Sequence, residues 1–227
     1  LPESNTLILF DIDGTLVRRT GPHHREALVD AIRHVTGLET TTDGIPVHGM
    51  LDPDILTLVL QAANISAAEI RAQLSAILHA AEEQYLARVP NDLRDKCCPG
   101  VAQLLSELKT RQIPLALVTG NLTRIGWRKL ESAGLHHHFR FGAFGEMAPT
   151  RGGLAKLAIE RARAERLISP AARITLIGDA PQDVRAAQEN GIQSIAVRTG
   201  ITPPADLEAC RPDHLLDDLT HLNLAII

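Results

Sequence analysis

Short aliphatic runs interleaved with stretches of helical spacing constrain the fold of this chain more than any other feature. The runs lie at 6–10, 114–119, 174–177 and 194–197, and the helical patterns at 101–111, 123–133, 154–165 and 181–190. Strands separated by helices cannot pair through tight hairpins. Each crossover carries the chain back to the same edge, so the pattern predicts a parallel sheet with helices on both faces, an α/β Rossmann-like core. The run Leu7-Ile8-Leu9-Phe10 is apolar at every position rather than at every second one, as a strand covered on both faces requires. At 227 residues and 44% hydrophobic, the chain is long enough for such a core and a smaller partner.

Residues 20–92 break the rhythm. They carry helical stretches at 25–35, 53–63 and 67–87 and no strand pattern, which predicts a helical unit inserted into the α/β core. The expected division is a core of 1–17 and 94–227 and a small helical cap domain of 18–93. Connections rich in Pro, Gly and polar residues at 17–21 and 90–100 are suited to act as hinges.

Composition narrows the classes of partner. A formal net charge of −4 provides no basic field, which argues against nucleic acid and anionic membranes. No apolar run approaches the roughly 20 residues that span a bilayer, and the first residues lack a basic stretch followed by an apolar one. The expected location is cytoplasmic. The three cysteines, Cys97, Cys98 and Cys210, are odd in number and lack disulfide or zinc spacing, so they are read as reduced.

The chemistry is expected where the strands end. The first run finishes in Asp11-Ile12-Asp13-Gly14-Thr15, the second in Thr119-Gly120-Asn121, and the third in Gly178-Asp179-Ala180-Pro181-Gln182-Asp183. Three polar clusters therefore meet at the carboxyl ends of parallel strands, where open α/β sheets bind ligands. Carboxylates at the buried end of an apolar strand are costly without a cation. Oxygen donors without histidine or cysteine suit Mg2+, with Asp11 and Asp179 as ligands. A carboxylate there can also attack phosphorus and divide one displacement into two through an acyl phosphate. Asp13 would protonate the leaving group and later deprotonate water. The Thr119 hydroxyl and a cation, Arg151, would hold the phosphoryl oxygens. Gly14, Gly120 and Asn121, at the same strand ends, and His23, just past the first, are the further candidates for contact with phosphate or substrate.

These residues carry a resemblance. Asp-Ile-Asp-Gly-Thr-Leu at 11–16, Thr119-Gly120-Asn121, and Gly178-Asp179 with Asp183 beyond resemble, in order and spacing, the motifs of the haloacid dehalogenase superfamily. The resemblance implies a Mg2+-dependent phosphomonoester hydrolase working through an aspartyl phosphate on a small phosphorylated metabolite. It implies Asp11 as nucleophile and metal ligand, and Asp13 as acid/base that meets the metal through its backbone carbonyl. It further implies Arg151 as the phosphate-binding cation, Asp179 as direct ligand, and Asp183 as a second ligand, bridged by water or held to that cation. The insertion after the first motif is similar to the cap of phosphoglycolate phosphatase-like members.

Some alternatives stay open in the sequence. Related proteins more often carry Lys-Pro where Arg151 stands, and Lys156 lies on the same predicted helix. His136, His137 and His138 point in successive directions and cannot readily share one ion, which makes them a surface turn. His23 and His24 lie in the expected linker, within possible reach of substrate. Asp52, before Pro53, fits a helix N-cap, and Met50 stands where related members have an arginine. A sugar-phosphate mutase would share the core. A non-enzymatic phosphate-binding regulator or receiver-like domain would have no use for Asp13 or an inserted lid.

Overall fold

The computed structural model describes residues 3–18 and 21–227, so positions 19 and 20 of the connection expected at 17–21 lie outside the described residues. Six strands, β1 (Ser4–Phe10), β2 (Leu115–Val118), β3 (Phe141–Ala143), β4 (Ile168–Gly178), β5 (Gln193–Val197) and β6 (His214–Leu216), form one sheet ordered β3-β2-β1-β4-β5-β6. Every neighbouring pair is parallel. The two halves of the chain run outward from β1, and the order reverses there, which opens a crevice beyond the strands' carboxyl ends.

Side chains alternate across β1 with period two and feed two separate cores. Ile8 and Phe10 pack with Leu105, Leu108 and Ile125 from α4 (Val101–Thr110) and α5 (Thr123–Ser132). Leu7 and Leu9 pack on the opposite face with Leu154, Ala158 and Ala187 from α6 (Arg151–Ala164) and α7 (Pro181–Glu189). Burial on both faces explains why the strand sequences are uniformly apolar.

Between β1 and β2 lie three helices, α1 (His23–Thr36), α2 (Asp52–Ala62) and α3 (Ala67–Arg88), with no strand among the described residues of that segment. α3 starts at a capping box in which the Ser66 hydroxyl accepts from the Glu69 amide and the Glu69 carboxylate accepts from the Ser66 amide. The chain leaves and re-enters the core side by side. Val17 bridges Cys97, the Arg18 amide donates to the Lys96 carbonyl at 2.8 Å, and the Cys98 amide donates to the Leu16 carbonyl at 3.0 Å.

Several element bounds differ from the sequence reading, each for a local reason. β3 and β6 are three residues long, too short to show a periodic pattern, and exist because a neighbouring strand edge is available to pair. α6 begins at Arg151 rather than 154, because the Thr150 hydroxyl accepts from the Gly153 amide at 3.0 Å and caps the helix earlier. α1 begins at His23 rather than 25, so both histidines expected in a linker are in its first turn. α8 (Pro204–Ala209) adds a short helix before β6. No helix among the described residues is long and apolar enough to cross a membrane.

Candidate active site

Register makes the site. Phe10 pairs with both Leu117 and Ile177, so the residues that follow on β1, β2 and β4 emerge level at one edge of the sheet. Asp11 stands directly after β1, Asp179 directly after β4, and Asp183 in the first turn of α7. All three are buried, and one oxygen of each lies within 4.8 Å of the others. Gly14 lets the loop after β1 pass this close: its φ is +84°, and a Cβ there would stand 2.3 Å from Asp179 Oδ2.

Three carboxylates shut away from water need positive charge. Arg151, the first residue of α6 and itself buried, supplies part of it. Its Nη1 donates to Asp11 Oδ1 at 3.2 Å and to the Val118 carbonyl at 3.3 Å, and its Nε forms an ion pair with Asp183 Oδ1 at 3.1 Å. A cation at a helix N-terminus opposes the helix dipole, and these carboxylates offset that cost. Asp183 is also tied down by the Ala180 amide, which donates to its Oδ2 at 3.1 Å.

One guanidinium does not balance three carboxylates. Burial pushes Asp11 up to about 7, against Arg151 and with added repulsion from Asp183 and Asp13. Asp179 is raised well above the carboxylate range, by burial first and then by Asp11 and Asp183. Asp183 is raised by burial, with Arg151 opposing. Asp179 is 1% exposed, and neither of its oxygens has a hydrogen-bond partner. A hard, all-oxygen donor set with an unsatisfied buried carboxylate fits a divalent cation of the magnesium kind.

Asp13 turns away from the trio. Its carboxylate, 38% exposed, accepts from Lys129 Nζ at 2.7 Å (Oδ1) and 2.6 Å (Oδ2) and from Asn121 Nδ2 at 2.7 Å. Burial pulls this carboxyl upward, but the Lys129 charge, then His24, then the bonds from Lys129 and Asn121 outweigh it and hold it below its usual value. Asn121 Nδ2 also donates to the buried Thr119 hydroxyl at 2.7 Å, so the polar residues after β2 are locked together.

The cleft over these groups encloses about 650 Å³. Asp11, Asp13, Gly14, Thr119, Gly120, Asn121, Arg151 and Asp179 all line it, with Leu28, Val47, Met50 and Ile55 of the inserted segment opposite. Asp183 lies behind Arg151 and is not part of the wall. His23 does not line the cleft; its neighbour His24 does, because adjacent residues on a helix point about 100° apart. Lys156 is 69% exposed and its nearest anionic partner is Glu160 at 3.9 Å, which leaves Arg151 as the cation at the strand ends. The three consecutive histidines form a 3-10 turn, and among the described residues the only group of three or more side chains placed so that they could hold a metal ion is Asp11, Asp179 and Asp183.

Asp52 departs from its expected role as a helix N-cap. Leu51 occupies that position, and the Asp52 carboxylate reaches out of the helix to accept from the Leu122 amide at 2.9 Å, beside His24 Nε2 at 2.9 Å. The Asp52 amide donates to the Gly120 carbonyl at 2.8 Å, so the inserted segment is pinned to the loop after β2. Lys129 was not singled out from sequence. Its signal was a lysine on the otherwise buried side of α5, beside Leu130 and in phase with Ile125 and Gly126.

Comparison with known proteins agrees with this architecture. The model of the haloacid dehalogenase-like hydrolase family matches residues 6–191. The chain is 28% identical to a protein of Dickeya dadantii (strain 3937) named probable phosphatase IndB, over 95% of this chain and 91% of that protein. It is 26% identical to a phosphoglycolate phosphatase of Agrobacterium fabrum, over 97% of this chain and 91% of that one. Its fold is similar to that of β-phosphoglucomutase from Clostridium difficile, with a TM-score of 0.75 at 16% identity over 100% of this chain and 95% of that one.

Proposed function

We propose that this chain, which belongs to the haloacid dehalogenase-like hydrolase family, is a Mg2+-dependent phosphatase of small phosphorylated metabolites that works through a phosphorylated Asp11. The observation that carries the reading is the cluster of Asp11, Asp179 and Asp183 within 4.8 Å, faced by one arginine, with Asp11, Asp179 and Arg151 lining the cleft and Asp183 behind the arginine. Relatives named as phosphatases over nearly the whole chain support it.

Each residue has a task that its placement suits. Asp11, with one oxygen on Arg151, attacks phosphorus as the P–O bond to the leaving group breaks. Arg151 and the strand-end polar groups at Thr119, Gly120 and Asn121 hold the phosphoryl oxygens. Asp11, Asp179 and Asp183, with the Asp13 carbonyl, would hold Mg2+, which when bound supplies charge neutralisation for these oxygens. Asp13 is placed here as an ionised carboxylate, the form that takes a proton from the water attacking the acyl phosphate. It then returns that proton to the next leaving oxygen, so acid and base are one residue in alternate half-reactions. The helical unit over 18–93 acts as the cap, excluding water and carrying the wall that selects the leaving group.

The test is phosphate release from a panel of phosphomonoesters, phosphoglycolate and sugar phosphates included, by wild type and Asp11→Asn with Mg2+ and with EDTA. Turnover that needs Mg2+ and disappears in Asp11→Asn is the expected result. Activity retained in Asp11→Asn would sink the nucleophile assignment, and phosphoryl transfer to a sugar hydroxyl without phosphate release would replace hydrolase by mutase.

A further inference from the structure

We propose that Lys129 is a positioning residue for Asp13, and that it is braced from the inserted helical unit by His24 and Asp52, so that Asp13 is aimed only while that unit lies on the core. The inference rests on the acid/base reading of Asp13 and adds a residue and a linkage to it.

Lysine is among the residues least often fully buried, yet Lys129 is 1% exposed. Its ammonium has three N–H donors, and three acceptor groups surround it: the Asp13 carboxylate, Asn121 Oδ1 at 2.6 Å and His24 Nδ1 at 3.2 Å. The Tyr85 ring of α3 lies on a further side, its centroid 5.8 Å from Nζ. Every direction is filled, which fixes the ammonium and, through two short bonds, the torsion of Asp13.

Donor logic then fixes the next link. Lysine can only donate, so His24 Nδ1 is the acceptor and its N–H is on Nε2, directed at Asp52 Oδ2. The same Asp52 oxygen accepts from the amide of Leu122, the N-cap residue of α5, the helix that carries Lys129. A continuous chain runs from the start of α5 through Asp52 and His24 of the inserted unit to Lys129 and Asp13 of the core. Lifting the unit removes His24 from Lys129 and Asp52 from Leu122 together. Asn121 alone then holds Lys129 beside Asp13, and the carboxylate is free to leave the orientation in which it meets the leaving oxygen.

A positioning role has a signature that loss of folding lacks. Lys129→Met should lower kcat for an alkyl phosphomonoester by roughly 10²-fold, the lower end of what general acid–base catalysis contributes, with KM little changed. First-turnover release of 4-nitrophenol from 4-nitrophenyl phosphate, a leaving group that needs no proton, should fall less than about tenfold, because it precedes the acyl-phosphate hydrolysis in which Asp13 serves as base for both esters. Lys129→Arg should recover part of the loss. His24→Gln, a milder change at a half-buried side chain, should shift the ratio of the two esters in the same direction by a smaller factor. Introducing Lys129→Met into Asp13→Asn should cost almost nothing further, since the residue acts through Asp13; that double variant also removes both charges and folds without a stranded ion.

Equal losses for both esters, a rise in KM alone, or additive losses in the double variant would overturn the inference, and an unchanged ratio in His24→Gln would remove the linkage to the helical unit. Wild type and Asp11→Asn run beside them separate the two levels. Failure of the phosphatase reading shows as phosphate release that Asp11→Asn does not abolish. Failure of the present inference shows in the ester ratio while that control behaves as expected.

Discussion

Asp179→Asn should make the metal-free protein more stable while destroying its response to Mg2+. In EDTA the wild type holds three carboxylates within 4.8 Å of one another, against one guanidinium and the His48 ring, whose Nε2 lies 3.6 Å from Asp179 Oδ2. Two unit charges at that separation repel by about 3.5 kcal/mol at an effective dielectric constant of about 20. Asp179 takes part in two such pairs, and neither of its oxygens has a hydrogen bond to lose. Arg151 offsets part of the repulsion, and a buried amide without partners costs about 1–3 kcal/mol of what is gained. The net gain is on the order of 1–3 kcal/mol, or roughly 2–10 °C in Tm for a chain of this length.

The pH dependence has a definite sign. Asp11 in the folded state stands at about 7, above its ordinary 3.8, and Asp179 is raised as well. The native state therefore binds more protons than the unfolded chain between 3.8 and about 7. Stability of the metal-free wild type falls as pH rises through that window and is fully present below it. Asp179→Asn should flatten this fall, so its advantage is greatest on the alkaline side and shrinks in acid. Thermal melts of both proteins across the window, in EDTA and in Mg2+, make the measurement. Mg2+ should raise the wild-type Tm by mass action and leave the variant almost unmoved. A variant that melts below wild type in EDTA above pH 7 would refute the electrostatic reasoning.

Three further substitutions test other parts of the structure. Arg151→Ala leaves Asp11 and Asp183 without their cation and should cost about 3–5 kcal/mol, whereas Lys156→Ala on the same helix should stay within about 0.5 kcal/mol; denaturant melts that reversed this order would undo the assignment of the cation. Gly120→Ala would place a Cβ 2.1 Å from the Met50 carbonyl oxygen, so the inserted segment must lift off the strand ends. Lower kcat, higher KM and a loss of about 1–3 kcal/mol, roughly 2–10 °C in Tm, are expected, and wild-type kinetics and melting would show that this contact is dispensable.

Sequence alone determined the parallel α/β core and placed Asp11, Asp13, Thr119 and Asp179 at strand ends, because those facts depend on neighbours only a few residues away. An uninterrupted apolar run such as Leu7 to Phe10 encodes a strand covered on both faces, and the polar residues that follow it must emerge at its end. Arg151 could be placed near a helix start by the same local logic. Beyond that range the sequence is silent. The short β3 and β6 have no period of their own and are set by the strands beside them. Whether His23 or His24 faces the cleft depends on the phase of α1, which is fixed by packing against α3 rather than by the histidines. Asp52 carries a good N-cap signature but is drawn away by an amide 70 residues later. Lys129 reads as an ordinary helix lysine, and only the tertiary structure places its ammonium against an aspartate 116 residues earlier in the chain. Periodicity records which face of an element is buried; the partner that meets a charge on that face is chosen by how the elements dock.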